Sequence, residues 1–153
     1  MVLQTPRQVR QGGKDMTEGF EGGCACGKVR YYASAAPRYM GNCHCRDCQQ
    51  ATGAGFFPGV GVRADAFAVT AGSPKSFART PDRGGDAIHR YFCGDCGAPV
   101  FLRSEPAGRF AVVYAGSLDD PSWFKPATDI YTSSAQPWTL MHDDTAKSEK
   151  MPG

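Results

Sequence analysis

The chain has 153 residues, 41% of them hydrophobic and 21% charged, with 17 basic against 15 acidic side chains and a formal net charge of +2. That length suits one domain of ordinary size, and the balance excludes wholesale disorder. The near-neutral charge calls for no polyanionic partner, so nucleic acid and an anionic membrane surface are set aside. No apolar run approaches the ~18 residues of a membrane helix.

Residues 1–18 are polar and aperiodic and read as a disordered N-terminal tail, within which Met16 is an alternative start. They lack the apolar core of a secretory signal, so the chain reads as cytoplasmic. In Lys28-Val29-Arg30-Tyr31-Tyr32-Ala33 the apolar Val29, Tyr31 and Ala33 alternate with Arg30 and Tyr32, the period of a half-buried strand. A short helix is expected around Arg46–Ala51. Strands follow at 67–69, 76–78, 88–92, 100–102 and 110–114, each short, aromatic or β-branched and bounded by Gly, Pro, Asp or Ser. Asp120 before Pro121 is a cap and first-position pair for one more turn. From His142 the sequence HDDTAKSEKMPG is charged, ends in Pro-Gly and reads as a disordered C-terminal tail over 142–153, which leaves 19–141 as the domain. With 19 glycines, 11 prolines and no βαβ alternation, the expected fold class is mainly β, antiparallel, with little helix.

Seven cysteines are the compositional outlier, and in a reducing compartment an odd number points to metal rather than to a disulfide framework. They form three clusters: Cys24-Ala25-Cys26, Cys43-His44-Cys45-Arg46-Asp47-Cys48 and Cys93-Gly94-Asp95-Cys96. Structural zinc takes four thiolate or imidazole ligands, commonly as two pairs from two turns. The outer clusters supply such pairs, so Cys24, Cys26, Cys93 and Cys96 are assigned to one closed zinc site. Cys43, Cys45 and Cys48 then form a second site of three ligands, and a zinc with three protein ligands keeps an open position. A thiol bound there would be presented as thiolate, the nucleophilic form. Other readings stand beside this one. His44 closes the middle site as a structural Cys3His set, or, lying between two ligands, points away from the metal. The two C-x-x-C pairs are redox motifs only within a βαβ frame, which is absent. A zinc deaminase needs H-x-E, which does not occur.

The segments Gly22-Gly23-Cys24-x-Cys26-Gly27-x-Val29-Arg30-Tyr31, Cys43-His44-Cys45-x-x-Cys48-x-x-Ala51-Thr52-Gly53-Ala54 and Phe92-Cys93-x-x-Cys96-Gly97 together resemble the glutathione-dependent formaldehyde-activating enzyme family. The resemblance runs on through Ala115-Gly116-Ser117-Leu118-Asp119-Asp120-Pro121 to Pro137-Trp138. It implies an Mss4-like architecture of coiled antiparallel sheets with zinc knuckles. It further implies two zinc ions per chain, glutathione or a similar small thiol as partner, and carbon–sulfur lyase chemistry interconverting glutathione plus formaldehyde with S-hydroxymethylglutathione. Asp129 stands where relatives often carry histidine, so no role transfers to it.

For the substrate, Arg46 is the first candidate to grip a carboxylate, because it is tethered within the middle cluster; a solvated surface arginine is the other reading. Thr52, Gly53 and Phe56 are candidate wall and amide contacts for a peptide-like ligand, with Phe57 beside them, although the same stretch also suits a tight strand connection. Trp123, Phe124 and Trp138 read as core or lid packing. Two alternatives to a lyase remain: a non-catalytic zinc-stabilised binding module, and a redox or metal-sensing protein whose middle cluster releases zinc on oxidation.

Overall fold

The computed structural model describes residues 19–82, 84–105 and 108–152, so the expected N-terminal tail lies outside the described residues. Two sheets carry the chain. A three-stranded antiparallel sheet joins β1 (Phe20–Gly23), β2 (Arg30–Ala33) and β5 (Phe67–Ala71) in the order β1-β2-β5. The larger sheet contains β3 (Tyr39–Cys43), β4 (Phe57–Arg63), β6 (Lys75–Arg79), β7 (Ala87–Phe92), β8 (Pro99–Glu105), β9 (Phe110–Tyr114), β10 (Thr128–Ile130) and β11 (Ala146–Ser148). Its order is β11-β10-β3-β4-β9-β8-β7-β6. The expected mainly-β class holds, with one departure: β10 pairs in parallel with both β3 and β11.

The alternation seen in the sequence explains the layers. Phe20, Val29, Tyr31, Ala33 and Phe67 from the small-sheet side meet Val60, Val62, Phe101, Ala111 and Val113 of the large sheet in one buried core. Strand residues between those point to the other face of the large sheet, where Phe57, Val112 and Tyr114 gather with Cys48 in a second, smaller cluster. That opposite face is where α1 (Arg46–Thr52) packs, so its few residues can be buried without interrupting the main core.

Three strands of the site region, β1, β3 and β4, are not evident from periodicity because glycine replaces side chains in them. An ideal Cβ on Gly22 would stand 2.3 Å from Tyr31 Oη and 2.3 Å from the Ser117 carbonyl oxygen, and one on Gly61 would stand 2.2 Å from Tyr39 Cε1. The missing side chains let neighbouring groups lie directly on the backbone. Glycine-rich Phe57-Pro-Gly-Val-Gly-Val-Arg63 is therefore a central strand rather than a connection.

The C-terminal residues also differ from expectation. Instead of fraying, 146–148 form β11, and Thr145 is buried. A charged sequence can be ordered here because pairing with β10 satisfies its backbone while the charged side chains remain outside. Trp138, expected in the core or a lid, is 66% exposed and so outside the core, whereas Trp123 is buried against Phe20 with ring centroids 5.4 Å apart.

Candidate metal centres

The outer cysteine pairs come together from two different layers. Cys24 and Cys26 lie in the turn after β1, and Cys93 and Cys96 in the turn after β7. Their four sulfurs all lie within 4.8 Å of one another, with Cys24 Sγ 3.6 Å from Cys26 Sγ and Cys26 Sγ 3.8 Å from Cys93 Sγ. Sulfurs ~2.3 Å from a tetrahedral zinc stand ~3.8 Å apart, so this donor set fits such an ion. The backbone is shaped to receive it: Val29 N–H donates to Cys24 Sγ at 3.2 Å. Burial opposes ionisation of Cys24, but that amide and the neighbouring thiols of Cys26, Cys93 and Cys96 draw its pKa down to about 6.

The middle cluster is assembled by the end of β3 and the start of α1. Cys43 closes β3 opposite Phe57 of β4, Cys45 is the N-cap of α1, and Cys48 lies in its first turn. The cap bond runs from Cys48 N–H to Cys45 Sγ at 3.4 Å, which turns Cys45 sulfur inward over the helix start. The three sulfurs lie within 4.8 Å of one another, and no fourth Cys, His, Asp or Glu donor joins them among the described residues. The thiols share their charge unequally. Hydrogen bonding from Cys43 and then Cys48 holds Cys45 well below an ordinary thiol, while the same contact with Cys45 pushes Cys43 far above one. Three sulfurs this close together suit a cation.

His44 lies between these ligands in sequence but turns away from them. It is 1% exposed, and its Nε2 donates to Asp129 Oδ1 at 2.7 Å. Asp129 is fully buried and also accepts from Asn42 Nδ2 at 3.3 Å and from Thr145 Oγ1. Burial alone would raise the Asp129 carboxyl, but the hydrogen bonds from His44, Thr145 and Asn42 outweigh it and hold it below the usual carboxylate range. Asp129 thus ties the cysteine-bearing turn to β10 and to the C-terminal segment. Gln49 braces the same turn, its Nε2 donating to the carbonyls of His44 at 2.7 Å and Ser134 at 3.0 Å.

Two clefts lie beside α1, and neither is lined by Cys43, Cys45 or Cys48. One, of about 580 Å³, is walled by Thr52, Phe56, Pro58, Tyr114 and Ser117 and reaches across to Cys24. The other, of about 220 Å³, is lined by Asp47, Phe77, Arg79, Ile88 and Arg90. Of the substrate residues expected from sequence, Thr52 and Phe56 lie in the larger cleft wall, Phe56 also packing on His44 at 5.4 Å. Gly53 instead terminates α1 at φ 67°, donating its N–H to the Gln49 carbonyl. Arg46 is exposed and directed along α1 to Gln49 Oε1, lining neither cleft.

The guanidinium that reaches the thiols belongs to Arg90. Its Nη2 donates to Cys48 Sγ at 3.5 Å and its Nη1 to Tyr114 Oη at 3.3 Å. Burial works against its charge, but Cys48 and Tyr114 more than compensate and raise its pKa, so it stays cationic. Burial raises the Tyr114 phenol against the pull of Arg90, so its hydroxyl keeps its proton. The sequence marks Arg90 only as a polar residue in an alternating strand. Its approach depends on the register Arg90–Leu102–Val112 across β7, β8 and β9, which sets it on the face of Tyr114 and Phe57.

A family model described as glutathione-dependent formaldehyde-activating enzyme matches residues 19–134. A crystal structure of a Rhodobacter sphaeroides protein shares the fold with a TM-score of 0.50 at 16% identity, over 65% of this chain and 87% of that one. No curated protein matches the sequence. Among the described residues no helix is long and apolar enough to cross a membrane.

Proposed function

This chain belongs to the glutathione-dependent formaldehyde-activating enzyme family, and from that premise we propose that it is a zinc-dependent carbon–sulfur lyase acting on thiol–aldehyde adducts such as S-hydroxymethylglutathione. In this reading Cys24, Cys26, Cys93 and Cys96 hold a structural zinc, and Cys43, Cys45 and Cys48 hold the reactive one. The supporting observation is the three-thiol cluster from which His44 is withdrawn by its bond to Asp129. Cys43, Cys45 and Cys48 would hold a zinc ion, which would keep a substrate thiol as thiolate, the form that adds to a carbonyl carbon or leaves it.

The chain's own residues prepare the surroundings. Arg90 places a permanent positive charge against Cys48 and offsets the excess negative charge of three thiolates. Cys48, Phe57 and Tyr114 are buried together and keep bulk water from that side of the cluster. The cleft of about 580 Å³ has room for a tripeptide-sized thiol, with Phe56, Pro58 and Tyr114 as apolar walls and Thr52 and Ser117 as polar points. The free thiols of all seven cysteines suit the reducing cytoplasm in which such a thiol circulates.

The test combines metal content with turnover. Chelator-free protein is expected to carry two zinc ions per chain, to add or exchange a sulfur ligand on addition of glutathione, and to accelerate adduct exchange. Cys45→Ser should keep one zinc, stay folded and lose the acceleration. A folded Cys45→Ser protein with undiminished turnover refutes the assignment, and a second zinc whose ligand shell is unchanged by glutathione points to a binding module.

A further inference from the structure

We infer that Tyr114, backed by Arg90, is the hydrogen-bond donor for the aldehyde oxygen during adduct formation and cleavage, an inference that rests on the lyase reading above. One guanidinium spans the thiol cluster and the Tyr114 phenol, which already pack in one buried group. It contacts the thiol cluster through Cys48 Sγ at 3.5 Å and the phenol of Tyr114 at 3.3 Å. A guanidinium has five N–H donors and no acceptor, so Tyr114 Oη is the acceptor in their bond and its own hydrogen is directed elsewhere. Tyr114 lines the larger cleft, and Arg90 lines the smaller one. The phenol is also held in place: its ring meets Phe57 edge-on with centroids 4.4 Å apart, and Phe57 is the β4 partner of Cys43. A donor whose ring is fixed by the fold, and which is polarised by a cation behind it, is what a developing oxyanion requires.

The step is simple to balance. A substrate thiolate held beside the cluster gives its lone pair to the carbonyl carbon, forming the C–S bond, and the C=O π pair moves onto oxygen. The negative charge that appears there is met by the Tyr114 O–H with Arg90 behind it, and water then supplies the proton that completes the hydroxymethyl group. In the reverse direction that proton returns to water, the oxygen pair re-forms C=O, and the C–S pair leaves on sulfur. No oxidant or reductant takes part.

Tyr114→Phe separates this role from packing, because the ring and its contact with Phe57 remain. Exchange of ¹³C-formaldehyde between free and glutathione-bound forms is followed by NMR at fixed pH, beside zinc content and glutathione affinity by calorimetry. The expected result is a rate about 10²–10³-fold lower with zinc content and glutathione affinity unchanged. Arg90→Lys, which keeps the charge but loses the fork, should also slow exchange and keep zinc. Normal acceleration by the wild-type protein with Tyr114→Phe within twofold of it overturns the donor role and leaves the lyase reading standing. Loss of zinc or glutathione affinity in proportion to rate also overturns it, by making Tyr114 structural. A wild-type protein that never exceeds the protein-free exchange rate removes the lyase reading and the donor role together.

Discussion

Replacing Asp129 with alanine tests the most deeply buried polar contact of the fold. The carboxylate is fully buried and accepts from His44 Nε2, Asn42 Nδ2 and Thr145 Oγ1. Alanine leaves those donors facing a small void, with His44 itself 1% exposed. Removing one member of a buried, hydrogen-bonded pair typically costs ~3–5 kcal/mol, a large share of the ~5–15 kcal/mol that holds a domain together. The assay is urea unfolding of wild type and Asp129→Ala at equal, saturating zinc, so that metal linkage does not enter the difference. The expected outcome is a midpoint lowered by an amount equivalent to ~3–5 kcal/mol at an unchanged m-value. Acid adds an internal check. Because the native carboxyl is held below its ordinary value, its stabilisation is full above the unfolded pKa of ~4 and is lost as pH falls through the lower native one. The wild-type advantage should therefore shrink below about pH 4. A difference under about 1 kcal/mol at neutral pH refutes the assignment of Asp129 as the brace.

Two further perturbations test the packing. Gly22→Ala puts a methyl group 2.3 Å from both Tyr31 Oη and the Ser117 carbonyl, and Tyr31 is 1% exposed, so the ring has little room to yield; overpacking of this kind costs ~1–3 kcal/mol, and calorimetry should show a lower melting temperature with both cysteine sets still able to take up zinc. Deleting 142–153 removes β11 and Thr145, and should lower the unfolding midpoint and lessen the additional cost of Asp129→Ala, because the two changes share a partner; strictly additive effects in the double mutant refute that coupling.

Much of the cysteine arrangement was legible in the sequence because its members are local. Cys24 with Cys26, Cys45 with Cys48 and Cys93 with Cys96 are each fixed by a single turn, the expected α1 is present, and the Asp120-Pro121 turn appears where its cap places it. What surrounds the thiols was not legible, for physical reasons that differ by residue. Asp129 meets His44 across 85 positions, a contact made by the parallel pairing of β10 with β3. Arg90 reaches Cys48 across 42 positions through a register of antiparallel strands, so the nearer arginine, Arg46, looked the better candidate. β4 was obscured by its glycines and Pro58, which give no alternation to read. β11 was obscured by charge, since composition describes side chains while a strand at a sheet edge is held by its backbone.

The four-cysteine centre has a consequence for how the chain is put together. Its two halves are each a few residues long but stand 67 positions apart, measured from Cys26 to Cys93. A metal ion can therefore be grasped by either turn before any sheet exists, and native structure adds only the second grasp. Binding by the unfolded chain reduces the stability that metal confers on the folded one. Completing the set also closes a long loop ahead of the distant strand pairings that the small and large sheets require, a step whose entropy otherwise slows folds rich in non-local contacts. The ion at this centre would thus act on the rate of assembly as much as on the final equilibrium, and refolding in its presence should accelerate more than the gain in midpoint alone would suggest.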